Sequence, residues 1–313
     1  MPPRATARPR GEGRLLQLVY YGYMFGSRLA LALPERTAYR LAEILGSAGA
    51  HLSRRRANVA LNLARITRRP AESAEVRLLV RDAYRSYARY WLETFRLVRE
   101  GPDFWLDRFR CAHADRIDSV LAEGKGAIVV VGHLGNWDAA GAWAGARGNL
   151  LVTVAEVLRP RRMFEFFVEH RERLGMRIWP AEKGVTARLI EAVEAGAIVA
   201  LVGDRDLKGT GPQVNFFGEP VTMPGGPASL SLRTGVPILV AGVYSAVFED
   251  GKRGWRAEIS LPINPPSERS TESIAELTQK VAGVLEEFVA RRPEEWHVLQ
   301  AFWPSDRARG QAR

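Results

Sequence analysis

Cysteine is almost absent from this 313-residue chain, which contains only Cys111. A single cysteine cannot form an internal disulfide or a thiolate metal cluster, and this usage favours a reducing compartment. No secretory signal peptide is visible, because the basic N-terminus is not followed by an apolar segment with a small-residue cleavage site. The composition, 46% hydrophobic and 26% charged, is that of an ordinary globular protein.

Several motifs of catalysis and cofactor binding are also missing. The chain contains no G-x-S-x-G nucleophile elbow, no Walker phosphate loop and no G-x-G-x-x-G dinucleotide fingerprint. The histidines His113, His133, His170 and His297 are not spaced as metal ligands are. Cys111 has no flanking sequence typical of a nucleophile. We therefore predict no metal and no bound cofactor, and a direct group transfer without a covalent enzyme intermediate.

Acidic residues are scarce in the first fifth of the chain. Residues 1–69 contain thirteen arginines against three glutamates, an excess of ten that equals the net charge of the whole chain. A basic segment of this kind predicts an anionic partner, either phospholipid headgroups or nucleic acid. No nucleic-acid-binding motif accompanies the arginines, so we favour an anionic membrane surface and predict no nucleic-acid partner.

Long hydrophobic runs are few, and the main one is interrupted. Leu15–Leu33 is strongly apolar over nineteen residues but contains Gln17, Arg28 and two glycines. Because an arginine in the lipid core is costly, we predict an interfacial helix rather than a membrane span; a buried core helix is the alternative. Tyrosines suit a membrane–water boundary, and arginines suit anionic headgroups. The predicted membrane contacts are Tyr20, Tyr21, Arg28, Arg54, Arg55 and Arg56.

The sequence pattern divides the chain into four parts. Residues 1–14 are rich in proline, glycine and arginine, and we predict that they are disordered. Residues 15–110 are predicted to form a helical, membrane-associating segment packed on the core. From residue 111 to 304 strands and helices alternate, which predicts an α/β core with a central, mainly parallel sheet flanked by helices. Residues 305–313 are predicted to be a flexible tail.

The stretch Ala127–Asp138, AIVVVGHLGNWD, carries the strongest local signal in the core. Its first five residues are apolar and bounded by glycines, which predicts a strand buried on both faces. Asn136 is predicted to cap the following helix, so that Asp138 in the first turn reaches back to His133 in the loop. An imidazole oriented by a carboxylate is a general base for an attacking hydroxyl. A histidine that only caps the loop is the alternative.

Polar residues also follow two other predicted strands. Glu156 follows one, Asp204 and Asp206 follow the other, and Arg171 lies on the helix after Glu156. Because the carboxyl ends of parallel strands meet at one edge of a sheet, we expect these side chains to surround His133 and bind a polyol. The alternatives are a structural ion pair for Glu156 and Arg171, and a helix or loop cap for Asp204 or Asp206.

Three blocks of this sequence resemble a known enzyme family. His133–Asp138 matches the H-x4-D motif of glycerolipid acyltransferases. With asparagine and tryptophan inside it, the motif resembles the branch of late lipid A acyltransferases and actinobacterial phosphatidylinositol mannoside acyltransferases. Residues 203–207, 214–218 and 223–227 resemble the second block of that branch, and residues 293–297 resemble its closing block. The ordered blocks span much of the chain.

Two details resemble the phosphatidylinositol mannoside enzymes more than the lipid A enzymes. They are residues 153–160 together with 171–175, and the sequence WHVLQ at 296–300. The resemblance implies transfer of a fatty acyl group, typically palmitoyl, from acyl-CoA to a mannose hydroxyl, the 6-position, of phosphatidylinositol mannosides. It also implies a peripheral protein at the cytoplasmic face of the plasma membrane.

The motif match also implies roles for individual residues. His133 is the base, Asp138 its orienting partner and Asp204 a further catalytic carboxylate. The residues implied to contact the sugar or its inositol phosphate are Glu156, Arg171 and His297. At position 204 the mannoside enzymes have Glu, whereas this chain has Asp, as the lipid A enzymes do. Whether the shorter side chain of Asp204 reaches His133 stays open.

The sequence is also compatible with two other functions. The first is the same reaction on another glycolipid or a lysophospholipid. The second, from a different class, is a non-catalytic lipid-binding or membrane-scaffold protein whose polar cluster only binds headgroups.

Overall fold

A computed structural model of the chain describes residues 14–306. The strands are β1 (Phe109–Ala112), β2 (Ala127–Val131), β3 (Leu151–Ala155), β4 (Met176–Pro180), β5 (Ile198–Val202), β6 (Gln213–Phe216), β7 (Glu219–Thr222), β8 (Ile238–Val247) and β9 (Arg253–Ile259). The helices are α1 (Arg14–Ala32), α2 (Glu35–Leu52), α3 (Arg56–Thr67), α4 (Ala74–Leu97), α5 (Pro102–Arg108), α6 (Asp115–Ala122), α7 (Trp137–Ala146), α8 (Arg161–Arg173), α9 (Val185–Glu194), α10 (Gly226–Thr234) and α11 (Thr271–Arg291). A 3₁₀ turn follows at Pro293–Glu295.

A seven-stranded sheet in the order β1-β9-β8-β2-β5-β3-β4 forms the centre of the protein. Its neighbouring strands pair in parallel except β8 and β9, which are antiparallel. Strands β6 and β7 form a separate hairpin. The predicted α/β fold with a mainly parallel sheet flanked by helices is therefore confirmed.

Strand β2 occupies the middle of this sheet and is buried along its whole length. Its run AIVVV has no polar alternation because helices cover both faces of a parallel sheet. Strand β5 pairs with β2 on one side and with β3 on the other, and all three run in the same direction. The loops that follow β2, β3 and β5 therefore meet at one edge of the sheet, as the sequence predicts.

Helix α7 begins directly after the loop that follows β2. The predicted cap is confirmed, because the Asn136 side chain accepts a hydrogen bond from the backbone N–H of Ala139 at 3.1 Å. Gly135 in this loop has φ +59°, and a Cβ at this position would lie 2.2 Å from the carbonyl oxygen of Val243 on β8. Only glycine fits so close to the neighbouring backbone.

The N-terminal helices pack on the core mainly through α4. Helices α1 and α2 both contact α4, and Gly46 of α2 lies so close that a Cβ would be 2.6 Å from the Cα of Arg85. Helix α1 buries one face and exposes large apolar side chains on the other, including Leu18, Tyr21 and Phe25. Among residues 14–306, no helix combines the length and the apolar character needed to cross a membrane.

The predicted ends of the chain lie mostly outside the described residues. Of the predicted disordered segment 1–14, only Arg14 is described, and it begins α1. Of the predicted tail, Ser305 and Asp306 are described. Ser305 donates a hydrogen bond to Glu219, and the buried Asp306 pairs with Arg65.

Candidate active site

His133 and Asp204 are direct partners at the carboxyl edge of the sheet. The His133 ring nitrogen Nδ1 lies 2.7 Å from Asp204 Oδ1, and the backbone N–H of His133 donates to Asp204 Oδ2 at 2.8 Å. The register of β2 and β5 produces this contact, since Val131 of β2 is opposite Val202 of β5. His133 lies two positions after Val131, and Asp204 lies two positions after Val202. The open question of the sequence is thus answered: the shorter aspartate reaches the histidine.

The Asp204 carboxylate is fully buried but remains charged. Burial raises its pKa, but the charge of His133, the two hydrogen bonds from His133 and one from Trp296 outweigh burial and leave the pKa below its usual value. Trp296 donates its indole N–H to Oδ2 at 2.8 Å. An ionised Asp204 holds the proton of His133 on Nδ1, and Nε2 is then the nitrogen that can accept a proton.

Asp138 is not the partner of His133, and this part of the prediction is wrong. Its buried carboxylate accepts a hydrogen bond from Arg171 Nε at 2.7 Å and a longer one from the Tyr90 hydroxyl at 3.3 Å. Asp138, in the first turn of α7, therefore faces α4 and α8. His133 packs edge-to-face against the neighbouring Trp137. Asp204 takes the place beside His133 because β5 is the adjacent parallel strand.

Arg171 and Glu156 lie at the same edge of the sheet with different surroundings. Arg171 forms a structural ion pair, as the alternative reading has it, but its carboxylate is Asp138. Although burial lowers the pKa of Arg171, Asp138 and Tyr90 more than offset this and raise it, so the guanidinium stays charged. Glu156 is exposed just beyond β3 and lines the same cavity as Arg171. A ligand in the cavity has access to both side chains.

Asp206 stabilises its own loop. One carboxylate oxygen accepts from the backbone N–H of Lys208 at 3.1 Å, and the other accepts from that of Gly211 at 2.7 Å. The residue does not line the cavity, whereas its neighbours Arg205 and Leu207 do. The loop-cap alternative describes Asp206, and the predicted sugar contact is not supported.

His297 lies beside His133 and is 7% exposed. Its backbone N–H donates to the carbonyl oxygen of His133 at 2.7 Å, and its Nε2 is 2.9 Å from the Ser86 hydroxyl. Burial, helped by the charges of Arg89 and His133, lowers the pKa of His297 to about 3. Its Nδ1 is buried without a partner among the described residues, and the ring lines the cavity. The cavity wall therefore includes a neutral imidazole at this position.

An apolar cavity of about 470 Å³ extends from His133 across the sheet. Small residues of α7, namely Ala140, Gly141 and Ala144, leave space between this helix and the strands. The cavity lining reaches Cys111 on β1, three strands away from β2, which is roughly 14 Å at about 4.8 Å per strand. Side chains on the sheet side include Val129, Val131, Ala200, Ala241, Val243, Ala257 and Ile259. This shape fits a long apolar chain whose reactive end lies at His133 and whose other end points toward β1.

The predicted membrane contacts are mostly exposed. Tyr21, Arg28, Arg54, Arg55 and Arg56 are exposed, whereas Tyr20 is partly buried. Helix α1 is held against α4 and α8, because Tyr23 packs edge-to-face on Trp91 and Phe167. Arg55 also lines the cavity. Membrane contact stays a prediction.

Sequence reasoning missed three residues that hold this site. Trp296 lies in the block 293–297 but receives no role from the motif match, and Tyr90 of α4 lies outside every motif. Glu93 of α4 is buried and accepts hydrogen bonds from Asn136 at 3.1 Å and from Trp255 at 2.9 Å. The sequence signal for Glu93 is a glutamate at a core position of a long amphipathic helix. Such a residue predicts buried hydrogen-bond partners, since buried charges require them.

Within the described range, no group of three or more His, Cys, Asp or Glu side chains is arranged to hold a metal ion. The predicted absence of a metal and of a bound cofactor is an expectation about the working enzyme, and it stays a prediction.

Comparison with known proteins agrees with the geometry of the site. Residues 9–305 match the family described as bacterial lipid A biosynthesis acyltransferase. A phosphatidylinositol mannoside acyltransferase of Mycolicibacterium smegmatis is 33% identical over 296 residues, which cover 93% of each chain. One of Mycobacterium tuberculosis is 36% identical over 251 residues, or 78% of this chain and 76% of the other. The chain therefore belongs to the bacterial lipid A biosynthesis acyltransferase family and is an acyltransferase that acts on glycolipids.

Proposed function

We propose that this protein transfers a fatty acyl group, palmitoyl, from acyl-CoA to the 6-hydroxyl of a mannose in phosphatidylinositol mannosides. The observation that carries this proposal is the pair of His133 and Asp204 at the end of the apolar cavity. The acyl chain occupies the cavity, so that its thioester carbonyl lies near His133. The names of the two mannoside relatives support the choice of acceptor.

The imidazole of His133 acts as the general base. Asp204 keeps the proton on Nδ1, so Nε2 removes the proton from the mannose hydroxyl as its oxygen attacks the thioester carbonyl carbon. A carbon–oxygen bond forms and the carbon–sulfur bond breaks. The proton then passes from Nε2 to the CoA sulfur, which leaves as the thiol, and His133 returns to its starting state.

The acceptor lies against the polar part of the cavity. The exposed carboxylate of Glu156 accepts hydrogen bonds from sugar hydroxyls, Arg171 donates one, and the neutral ring of His297 contacts the sugar at the cavity wall. Because Asp138 already neutralises Arg171, this guanidinium suits a hydroxyl better than an unpaired phosphate. The roles of Glu156, Arg171 and His297 as sugar contacts are part of the proposal.

The substrates reach the site from a membrane surface. Helix α1 exposes an apolar face, the arginines at 54–56 are exposed as well, and Arg55 lines the cavity. Such surfaces bind reversibly to anionic membranes. We therefore place the protein, as a peripheral protein, at the cytoplasmic face of the plasma membrane.

The experiment compares the mannoside with other acceptors. Position 204 is Asp, as in the lipid A enzymes that the sequence resembles, and the family is described by lipid A biosynthesis. The purified protein is incubated with palmitoyl-CoA and, in separate reactions, with a phosphatidylinositol mannoside, a lipid A precursor and a lysophospholipid. Mass spectrometry identifies the product and thiol release gives the rate.

We expect acylation of the mannoside at a rate at least about tenfold above that of the other acceptors. His133→Ala should lose at least about 10³-fold in kcat while binding of the protein to anionic vesicles is unchanged. Preferred acylation of another acceptor would overturn the mannoside assignment. Undiminished turnover by His133→Ala would overturn the role of His133.

A further inference from the structure

The closing block of the chain is joined to the His133 loop by backbone hydrogen bonds. Trp296 forms an antiparallel bridge with Leu134. On either side of it, the Gly135 N–H donates to the carbonyl oxygen of Glu295 at 3.0 Å, and the His297 N–H donates to that of His133 at 2.7 Å. The position of Trp296 relative to the base is thus fixed by the backbone.

The indole of Trp296 is directed at the carboxylate that orients the base. Its Nε1 lies 2.8 Å from Asp204 Oδ2, the oxygen that also accepts from the backbone N–H of His133. Asp204 is 0% exposed and Trp296 is 4% exposed, so water does not compete for this hydrogen bond. In such a site a hydrogen bond to a charged oxygen is stronger than at the surface.

Aromatic neighbours hold the indole at this angle. Phe302 packs edge-to-face on it at 4.9 Å between ring centroids, and Phe216 and Trp303 lie at 6.0 and 6.1 Å. The indole N–H of Trp303 has a different acceptor, the carbonyl oxygen of Phe216 at 3.0 Å. A rotation of Trp296 would break several of these contacts, so its N–H is a preorganised donor.

We propose that Trp296 is a positioning residue, whose indole N–H fixes the rotation of the Asp204 carboxylate so that Oδ1 faces His133 Nδ1. Two donors hold Oδ2 in place, one from the His133 backbone and one from Trp296, and this leaves Oδ1 for the ring. Without the indole N–H, the carboxylate turns more freely and the ring proton is shared between Nδ1 and Nε2. A proton on Nε2 prevents His133 from acting as a base. The catalytic consequence rests on the proposed function.

The test is Trp296→Phe, with Trp303→Phe as its matched control. Both substitutions remove a buried indole N–H from the same aromatic cluster, but only Trp296 contacts Asp204. Histidine is labelled with ¹⁵N and the His133 signals are assigned by their loss in His133→Gln. The tautomer of His133 is read from its ¹⁵N shifts without substrate, and kcat and KM for the acyl donor are then measured.

We expect Trp296→Phe to lower the Nδ1–H tautomer fraction of His133 and to reduce kcat about tenfold to hundredfold, with KM within about twofold. Trp303→Phe should leave the tautomer unchanged. An unchanged tautomer in Trp296→Phe, or the same change in both variants, overturns the proposal. The NMR measurement needs no substrate, so it decides the matter even if the proposed acyl transfer fails.

An isosteric replacement covers the case in which Trp296→Phe does not fold. Trp296 is replaced by benzothienylalanine, whose ring has the same size but carries sulfur where indole has its N–H. The packing against Phe302 and Trp303 is then kept, and only the hydrogen bond to Asp204 is lost. The same fall in the Nδ1–H tautomer supports the proposal, and an unchanged tautomer overturns it.

Discussion

His133 and Asp204 contact each other through two separate pairs of atoms. The ring nitrogen Nδ1 meets Oδ1 at 2.7 Å and the backbone N–H donates to Oδ2 at 2.8 Å. A single carboxylate therefore fixes both the backbone of the loop and the orientation of the imidazole. It follows that changes at Asp204 should affect the base directly, whereas Asp138 should act through its buried pair with Arg171.

Asp204→Asn should reduce kcat by about 10²- to 10⁴-fold, because a neutral amide no longer stabilises the protonated imidazole or selects its tautomer. The measurement is the rate of acyl transfer at saturating donor and acceptor. A kcat within about threefold of the wild type would contradict the role of Asp204.

Asp138→Asn should lower the free energy of unfolding by about 3–5 kcal/mol, because the charge of Arg171 loses its buried partner. Urea denaturation measures this difference. The control is Asp118→Asn, which breaks an exposed pair with Arg147 and should cost less than about 1 kcal/mol. Equal effects of the two substitutions would show that burial of the Asp138 pair is unimportant.

His297 should make the protein less stable in acid. Its pKa of about 3 in the folded protein is below the value of about 6.5 expected on unfolding, so the unfolded state binds the extra proton between these pH values. Stability is full above about pH 6.5 and falls as pH decreases toward 3, by at most about 1.4 kcal/mol per pH unit.

His297→Gln removes this contribution. Between pH 7 and pH 5 the wild type should lose about 2 kcal/mol more than the variant, measured by urea denaturation at both values. The buried Glu93, whose pKa burial raises, acts in the opposite direction but is present in both proteins and cancels. His51→Gln, at an exposed position, serves as the control and should keep the wild-type slope.

Ala257→Phe should shorten the preferred acyl chain. Ala257 lines the cavity on β9, two strands and roughly 10 Å from β2, so a phenyl ring there blocks the part reached by the end of a long chain. The value of kcat/KM should fall at least about tenfold for palmitoyl-CoA and stay within about threefold for octanoyl-CoA. An equal fall for both donors would mean that the acyl chain does not occupy this cavity.

Binding to anionic vesicles should depend on the arginines after α2. The combined change Arg54→Gln, Arg55→Gln and Arg56→Gln should weaken binding about 100-fold, at about 1 kcal/mol per charge. The wild type should also bind less tightly as salt rises, because salt screens these contacts. Vesicle co-sedimentation measures both effects, with neutral lipid as the control. Binding that is insensitive to salt would indicate insertion of α1 instead.

The local features of the site could be predicted from the sequence. The apolar run of β2 and the cap Asn136 are both confirmed, because each depends on residues close together in the chain. The placement of Glu156 and Asp204 at one edge follows from the rule that parallel strands share their carboxyl ends. These parts depend on periodicity, turn residues and chain direction.

The partner of His133 could not be chosen correctly from the sequence. Asp138 is five positions away and Asp204 is 71 positions away, so local spacing favours Asp138. The outcome is decided by the register of β2 against β5, which depends on packing of the whole sheet. Trp296 is further still along the chain, and no local pattern links its indole to Asp204.

The bridge between Leu134 and Trp296 also has a consequence for the timing of synthesis. The strands that carry His133 and Asp204 leave the ribosome well before the segment that completes their surroundings. A nascent chain that has not reached residue 297 lacks the backbone hydrogen bonds that hold the His133 loop and the indole donor to Asp204. The surroundings of His133 and Asp204 are therefore complete only after residue 297 has been synthesised.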